Sequence, residues 1–230
     1  MRPQGKANDG HRARLRERYL QTGLDGFADH EILELLLGYC IAQKDTNPIG
    51  HALVNRFGNL QGVFDAPAEL LTEVDDVGDY SAFLLKLIPD LCRRYYQQSS
   101  DTQFRFNDTA KALSFFVTQF IGRKVECLFA AFLNENCDLI ECTLQYEGSI
   151  NAVEIHADKL TRTALRLGAE YVILAHNHFN DSIPSFPDIT ATTQVIRALA
   201  PYKITLLDHF IICGSTGTSM RQSGHLTKSL

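Results

Sequence analysis

The sequence predicts an α/β protein in two parts, a small all-α domain over residues 1–100 followed by an α/β domain over 107–230. Three observations carry this. Most of the first hundred residues read as short helices separated by caps and turn signals. The stretch QQSSDTQFRFND (97–108) is polar and short of aliphatic residues, the composition of a linker, which places the boundary near 100–106. Beyond it, apolar runs of strand length alternate with helical segments, as in a mostly buried sheet sandwiched by helices.

Each element has its own signal. Residues 30–40 (HEILELLLGYC) carry apolar side chains on more than one helical face, which predicts a largely buried helix with Asp29 as its cap. A helix over 47–56 starts at Asn47-Pro48 and stops at Gly58, a C-terminal glycine. Helices over 67–74 and 80–96 flank the turn DDVGD. After the linker come a helix over 109–120 and a strand over 125–134 (VECLFAAFLN), mostly apolar as a buried strand is. Strands over 139–146 and 152–156 follow, then a helix over 158–167 ending at Gly168. A strand over 171–176, a helix over 188–200 and a long strand or strand pair over 204–213 complete the chain.

Composition excludes several classes. Of 230 residues, 45% are hydrophobic and 21% charged, which rules out a disordered chain, a collagen-like fibre and a coiled-coil rod. The formal charge is −5, with 11 Lys/Arg against 14 Asp/Glu over 1–100 and 11 against 13 over 101–230. Neither part has the basic excess of a protein that grips phosphate backbones. Six scattered cysteines form no C-x-x-C pair and read mostly as small buried hydrophobes. The N-terminus has no apolar stretch before a cleavage site, and the longest apolar run, 32–42, is too short for a bilayer. A soluble, cytoplasmic protein with no membrane partner is expected.

The chemistry concentrates in YVILAHNHFNDSIPSFPD (171–188). Residues two apart on a strand share a face, so His176 and His178 project together from a strand end. Asp188 follows ten residues later, in the first turn of the next helix and behind a loop with Pro184 and Pro187. Two imidazoles and a carboxylate are the protein ligands of a catalytic Zn2+ whose fourth position is left for water. The same residues admit plainer readings. Ser185 and Asp188 form an S-x-x-D capping pattern, and two histidines at a strand end can be ordinary surface residues. The string HNH lacks the spacing of the nucleases of that name.

LAHNH with IPSFPD resembles the JAMM signature, H-x-H-x7-S-x-x-D, of JAB/MPN metalloproteases. LLDHFIICG (206–214), with Ser219 and the Gln222-Ser223-Gly224 end, resembles the close of bacterial RadC proteins. VECLFAAFLNENCDLIECTLQYEGSIN, EIHADKLTRTALRLGAEYVILAHNH and GHRARLRERYLQTGLDGFADHEILELLL are similar to the RadC body and N-terminus, so the resemblance spans about 10–225. It implies a JAB/MPN-like α/β/α sandwich with a mixed central sheet and Zn2+ bound by His176, His178 and Asp188. It further implies Ser185 as a donor to a tetrahedral oxyanion and Glu126, on an early strand, as general base. The implied activity is hydrolysis of an amide or isopeptide bond in a peptide or protein. Phe179 and Asn180 replace the family's proline and small residue, and only six residues separate His178 from Ser185 instead of seven. Asp208 and His209, within an apolar strand run, are expected to be supporting or structural groups.

Two other functions remain open. A JAB fold that has lost catalysis serves as a scaffold, and the shortened loop fits that. A DNA repair or recombination factor would act through the N-terminal domain. There, residues 74–82 (VDDVGDYSA) resemble a helix-hairpin-helix turn with Asp76 in place of the first glycine and Asp75 and Asp79 beside it. Three carboxylates repel a phosphate, so a tight turn within a bundle is the better reading. DNA contact would fall to Arg12, Arg14, Arg16 and Arg18, which a helix spreads around its surface.

Overall fold

The structure, a computed structural model, describes residues 5–99, 104–148 and 156–226. The chain divides into two compact units, Met1–Leu91 and Cys92–Leu230. The first holds α1 (Gly5–Thr22), α2 (Asp29–Leu37), α3 (Asn47–Phe57), α4 (Leu60–Asp65), α5 (Ala68–Thr72) and most of α6 (Asp79–Ser99). Leu33, Leu37, Leu53, Val63, Leu71 and Leu85 are fully buried in its core. Helices α2 and α3 meet closely at Gly50, where a Cβ would lie 2.5 Å from the His30 carbonyl oxygen. Only glycine fits there. Glu34, the charge inside the apolar run of α2, is buried but satisfied, by Asn47 Nδ2 at 2.8 Å and His11 Nε2 at 2.8 Å.

Two local expectations are corrected. Ala28, not Asp29, is the N-cap of α2, and the Glu31 carboxylate accepts the Ala28 N–H at 3.0 Å. Asp29 instead accepts the Leu60 N–H at 2.8 Å, tying α2 to the start of α4. Helix α6 runs through Ser99, so the first residues of the polar stretch are helical. Extending a formed helix adds one bond per residue, and Gln and Ser are not strong enough breakers to stop it.

The second unit begins within α6. Its α7 (Thr109–Phe120) is capped by Asp108, whose carboxylate accepts the Ala110 N–H at 2.9 Å. Then come β1 (Glu126–Leu133), β2 (Leu139–Gly148), α8 (Ala157–Leu167), β3 (Tyr171–Asn177), α9 (Phe186–Leu199), β4 (Thr205–Cys213) and β5 (Thr216–Ser219). Among the described residues the sheet has five strands in the order β2-β1-β3-β4-β5. Only β3 and β4 run parallel, so the sheet is mixed. The 204–213 run is one strand; β5 had no signal of its own, because TGTS is short and polar. Of the expected 152–156 strand, residues 152–155 lie outside the described residues.

Period-two alternation sorts the sheet into two cores. Leu128, Ala130, Phe132, Val172 and Leu174 pack with Leu160 and Ala164 of α8 and Val195 and Leu199 of α9. Cys127, Phe129, Ala131, Ile173 and Ala175 pack against Phe115, Phe116 and Phe120 of α7 on the other face. The unit is therefore an α/β/α sandwich, and β1 reads as continuously apolar because helices cover both its faces. Phe132→Ala, at a fully buried site, is expected to destabilise this unit by about 3–5 kcal/mol in urea unfolding. All six cysteines are free thiols; Cys127 is buried, whereas Cys40 and Cys92 are exposed, against the expectation of mostly buried side chains. Among the described residues no helix is long and apolar enough to cross a membrane.

Candidate metal centre

Strand β3 delivers His176 to the end of the sheet on the α8/α9 face, opposite Leu128 of β1. The next N–H, of His178, bonds to the Ile212 carbonyl at 2.8 Å and extends the β3–β4 ladder by one step. The two imidazoles therefore stay on one side. Helix α9 brings the carboxylate. Ser185 is its N-cap, and Ser185 N–H and hydroxyl both donate to Asp188 Oδ2, at 2.7 and 2.6 Å. The capping pattern and the proposed ligand set thus share Asp188, and the cap fixes its carboxylate.

The donor atoms converge. His176 Nε2 lies 2.9 Å from His178 Nε2 and 3.1 Å from Asp188 Oδ1, and His178 Nε2 lies 3.4 Å from Asp188 Oδ2. Ligands at the usual zinc distances, arranged tetrahedrally, stand about 3.3 Å apart. The three side chains sit near that spacing and form a group able to hold a metal ion. His176 and Asp188 are buried, while the His178 side chain is 19% exposed, so the group opens to solvent on the His178 side.

Electrostatics support the convergence. Burial opposes ionisation of Asp188, but hydrogen bonds from His176 and His178, with Ser185, outweigh it and hold the carboxyl well below the usual range. The Asp188 hydrogen bond raises the pKa of His178 against its partial burial, and the charges of Asp188, Glu126 and Asp181 add to the rise.

Glu126 opens β1. It lies two residues before Leu128, which pairs with His176, and its charge acts on His178. Between the two strand ends lies a residue that sequence reasoning left without a role. Asn177 points to the other face, where its side-chain oxygen accepts the Cys127 N–H at 2.7 Å and its amide donates to Val125 O at 3.2 Å. Its amide replaces a ladder bond, so Asn177 pins the start of β1 beside His178. His209 and Thr192 are further partners: His176 Nδ1 lies 2.8 Å from His209 Nε2, and His209 Nδ1 lies 2.7 Å from Thr192 Oγ1. Nothing in the spacing of Thr192 marked it. Ser185→Ala is expected to cost about 0.5–2 kcal/mol as a lost cap, and about 10- to 100-fold in zinc affinity as Asp188 loses its support. Thermal unfolding and zinc titration of one variant read both.

In the first unit, the arginines named for DNA are partly engaged. The Arg12 guanidinium donates to the carbonyls of Ile41 at 2.6 Å and Ala42 at 2.9 Å, beyond the end of α2. Arg18 pairs with Glu31 at 2.7 Å and stacks 3.7 Å over Phe27. Arg14 and Arg16 are exposed. Asp76 adopts φ +66°, the left-handed conformation natural to the glycine it replaces, and pairs with Lys44.

Residues 106–225 match the family model described as RadC-like JAB domain. The UPF0758 protein FN0909 of Fusobacterium nucleatum is 32% identical over 227 residues, covering 95% of this chain and 98% of its own length. A match over most of the second unit and a relative aligned along nearly the whole chain lead to one conclusion: the chain belongs to the RadC family.

Proposed function

We propose that the chain is a zinc-dependent hydrolase of amide or isopeptide bonds, with Zn2+ held by His176, His178 and Asp188. The observation that carries this reading is the convergence of two imidazole nitrogens and the Asp188 carboxylate, with contacts of 2.9–3.4 Å, beside a partly exposed imidazole. Zn2+ supplies, when bound, a Lewis acid that lowers the pKa of water toward about 7 and polarises a carbonyl. The protein residues do the rest. Glu126, near His178, takes the proton of the water that attacks the carbonyl carbon and gives it to the leaving amine as the C–N bond breaks. Ser185 holds Asp188 in place, and rotation about its Cα–Cβ bond redirects its hydroxyl toward a developing oxyanion.

The implied partner is a peptide or protein carrying the scissile amide. One observation favours the alternative of a zinc-binding scaffold without catalysis: the Ser185 hydroxyl proton is already given to Asp188 Oδ2. DNA is not part of the proposal, since Arg12 and Arg18 bond within the first unit.

Elemental analysis of protein purified without added metal is expected to return about one zinc per chain. Folded protein without zinc overturns the metal reading. Incubation of the zinc-loaded protein with a mixture of isopeptide-linked and linear peptides should release new amino groups, and chelation should stop the release. Zinc without hydrolysis selects the scaffold.

A further inference from the structure

Strand β4 does not run in simple register beside β3. Val172 pairs with Leu206 but Ile173 pairs with Asp208, so Leu207 is an extra residue, a β-bulge. Without it His209 would stand beside Ala175 and face the α7 side of the sheet. With it His209 stands beside Leu174 and faces the side of His176. The C-terminal segment holds the bulge in place. The Asp208 carboxylate accepts from the His209 N–H at 2.7 Å, the Arg221 N–H at 3.0 Å and the Ser219 hydroxyl. The Arg221 guanidinium in turn donates to the carbonyls of Leu206, at 3.2 Å, and Leu207.

Hydrogen-bond polarity from there runs in one direction. The single proton of the Thr192 hydroxyl goes to the Asp188 carbonyl at 2.6 Å, an acceptor only. With that proton placed there, the Thr192 oxygen accepts from His209 Nδ1, which in this polarity carries a proton. His209 is fully buried, and its two nitrogens meet only a hydroxyl and an imidazole, so its Nε2 is left as a lone pair. In the same polarity that lone pair takes the Nδ1–H of His176, whose Nδ1 lies 2.8 Å away.

Resting on the metal reading above, we propose that His209 is a positioning residue: turned to the site by the bulge at Leu207 and oriented by Thr192, it holds His176 with Nδ1 protonated and Nε2 aimed at the metal. Metal-bound histidines commonly give their second N–H to a carboxylate, a carbonyl or water. Here a neutral imidazole takes that part. The arrangement gives Asp208, Ser219 and Arg221 a purpose in the site although none of them reaches it.

The test uses the full chain. Nitrogen-15 NMR of the histidine rings is expected to show His176 Nδ1 protonated both before and after zinc is added, with zinc changing Nε2 alone. Zinc titration is expected to show affinity about 10- to 100-fold weaker in His209→Leu, and within a few-fold of wild type in His209→Gln, whose amide oxygen can replace the acceptor at Nε2. An unprotonated His176 Nδ1 in wild type overturns the proposal, and so does zinc held equally well by wild type and a folded His209→Leu protein. Wild type that takes up no zinc overturns the metal reading instead, which the His209→Leu comparison by itself cannot do. The NMR measurement on wild type needs no variant to fold.

Discussion

The His176→Ala protein is expected to purify with less than about 0.1 zinc per chain, where wild type carries about one. His176 Nε2 is the donor nearest to both others, at 2.9 Å from His178 Nε2 and 3.1 Å from Asp188 Oδ1. Its removal leaves His178 and Asp188 as the two remaining protein ligands, below the three that a zinc site with an open position requires. The loss should be visible in stability as well. A ligand that binds only the folded state at a thousand times its Kd adds about 4 kcal/mol, which for a unit of this size is a Tm shift on the order of 10 °C. Zinc should therefore raise the Tm of wild type and leave that of His176→Ala unmoved, and a chelator should erase the difference. The same titration against pH carries a sign. Zinc needs the neutral imidazole, and the Asp188 hydrogen bond raises the pKa of His178. Zinc affinity is thus full above that raised pKa and falls as pH drops through it, earlier than for an ordinary histidine. A His176→Ala protein that keeps one zinc per chain would place the metal elsewhere.

What could be read in advance follows from which forces are local. His176 and His178 share a face because strand side chains alternate, and that needs no tertiary knowledge. Ser185 and Asp188 announce a helix start through S-x-x-D, and the helix does start there. The sandwich was legible because the run 125–134 is apolar at every core position, which only a strand covered on both faces tolerates. Pairing decisions were not legible. Glu126 comes near His178 only because β1 pairs with β3, which sets Leu128 beside His176, and it could be reached only by resemblance. His209 faces the site only because Leu207 is an extra residue, and no composition marks a bulge held by Ser219 and Arg221. Asp29 failed as a cap for a similar reason: a distant backbone N–H, that of Leu60, competes for the same carboxylate. Local pattern brought out His176, His178 and Asp188, and long-range pairing placed the residues around them.

Glu126→Gln is expected to lower kcat by about 10²–10⁴-fold while leaving zinc content at the wild-type level. Glutamine matches glutamate in size and hydrogen-bonding reach but cannot take up a proton at neutral pH, so the substitution separates the base from the ligands. Because Glu126 begins a strand whose next seven residues are all buried, the backbone that carries it is held by the sheet whatever its own side chain does. A loss of folding would therefore be small, and unfolding by urea should match wild type within about 0.5 kcal/mol. The substitution also has a consequence that needs no substrate. The Glu126 charge contributes to the raised pKa of His178, so in metal-free protein the His178 resonance should titrate at lower pH once that charge is gone. A lowered His178 pKa with a collapsed rate fits a carboxylate that stands over the reacting water. An unchanged His178 pKa would mean that β1 does not bring Glu126 to the site, and the base would then have to be sought on another strand end.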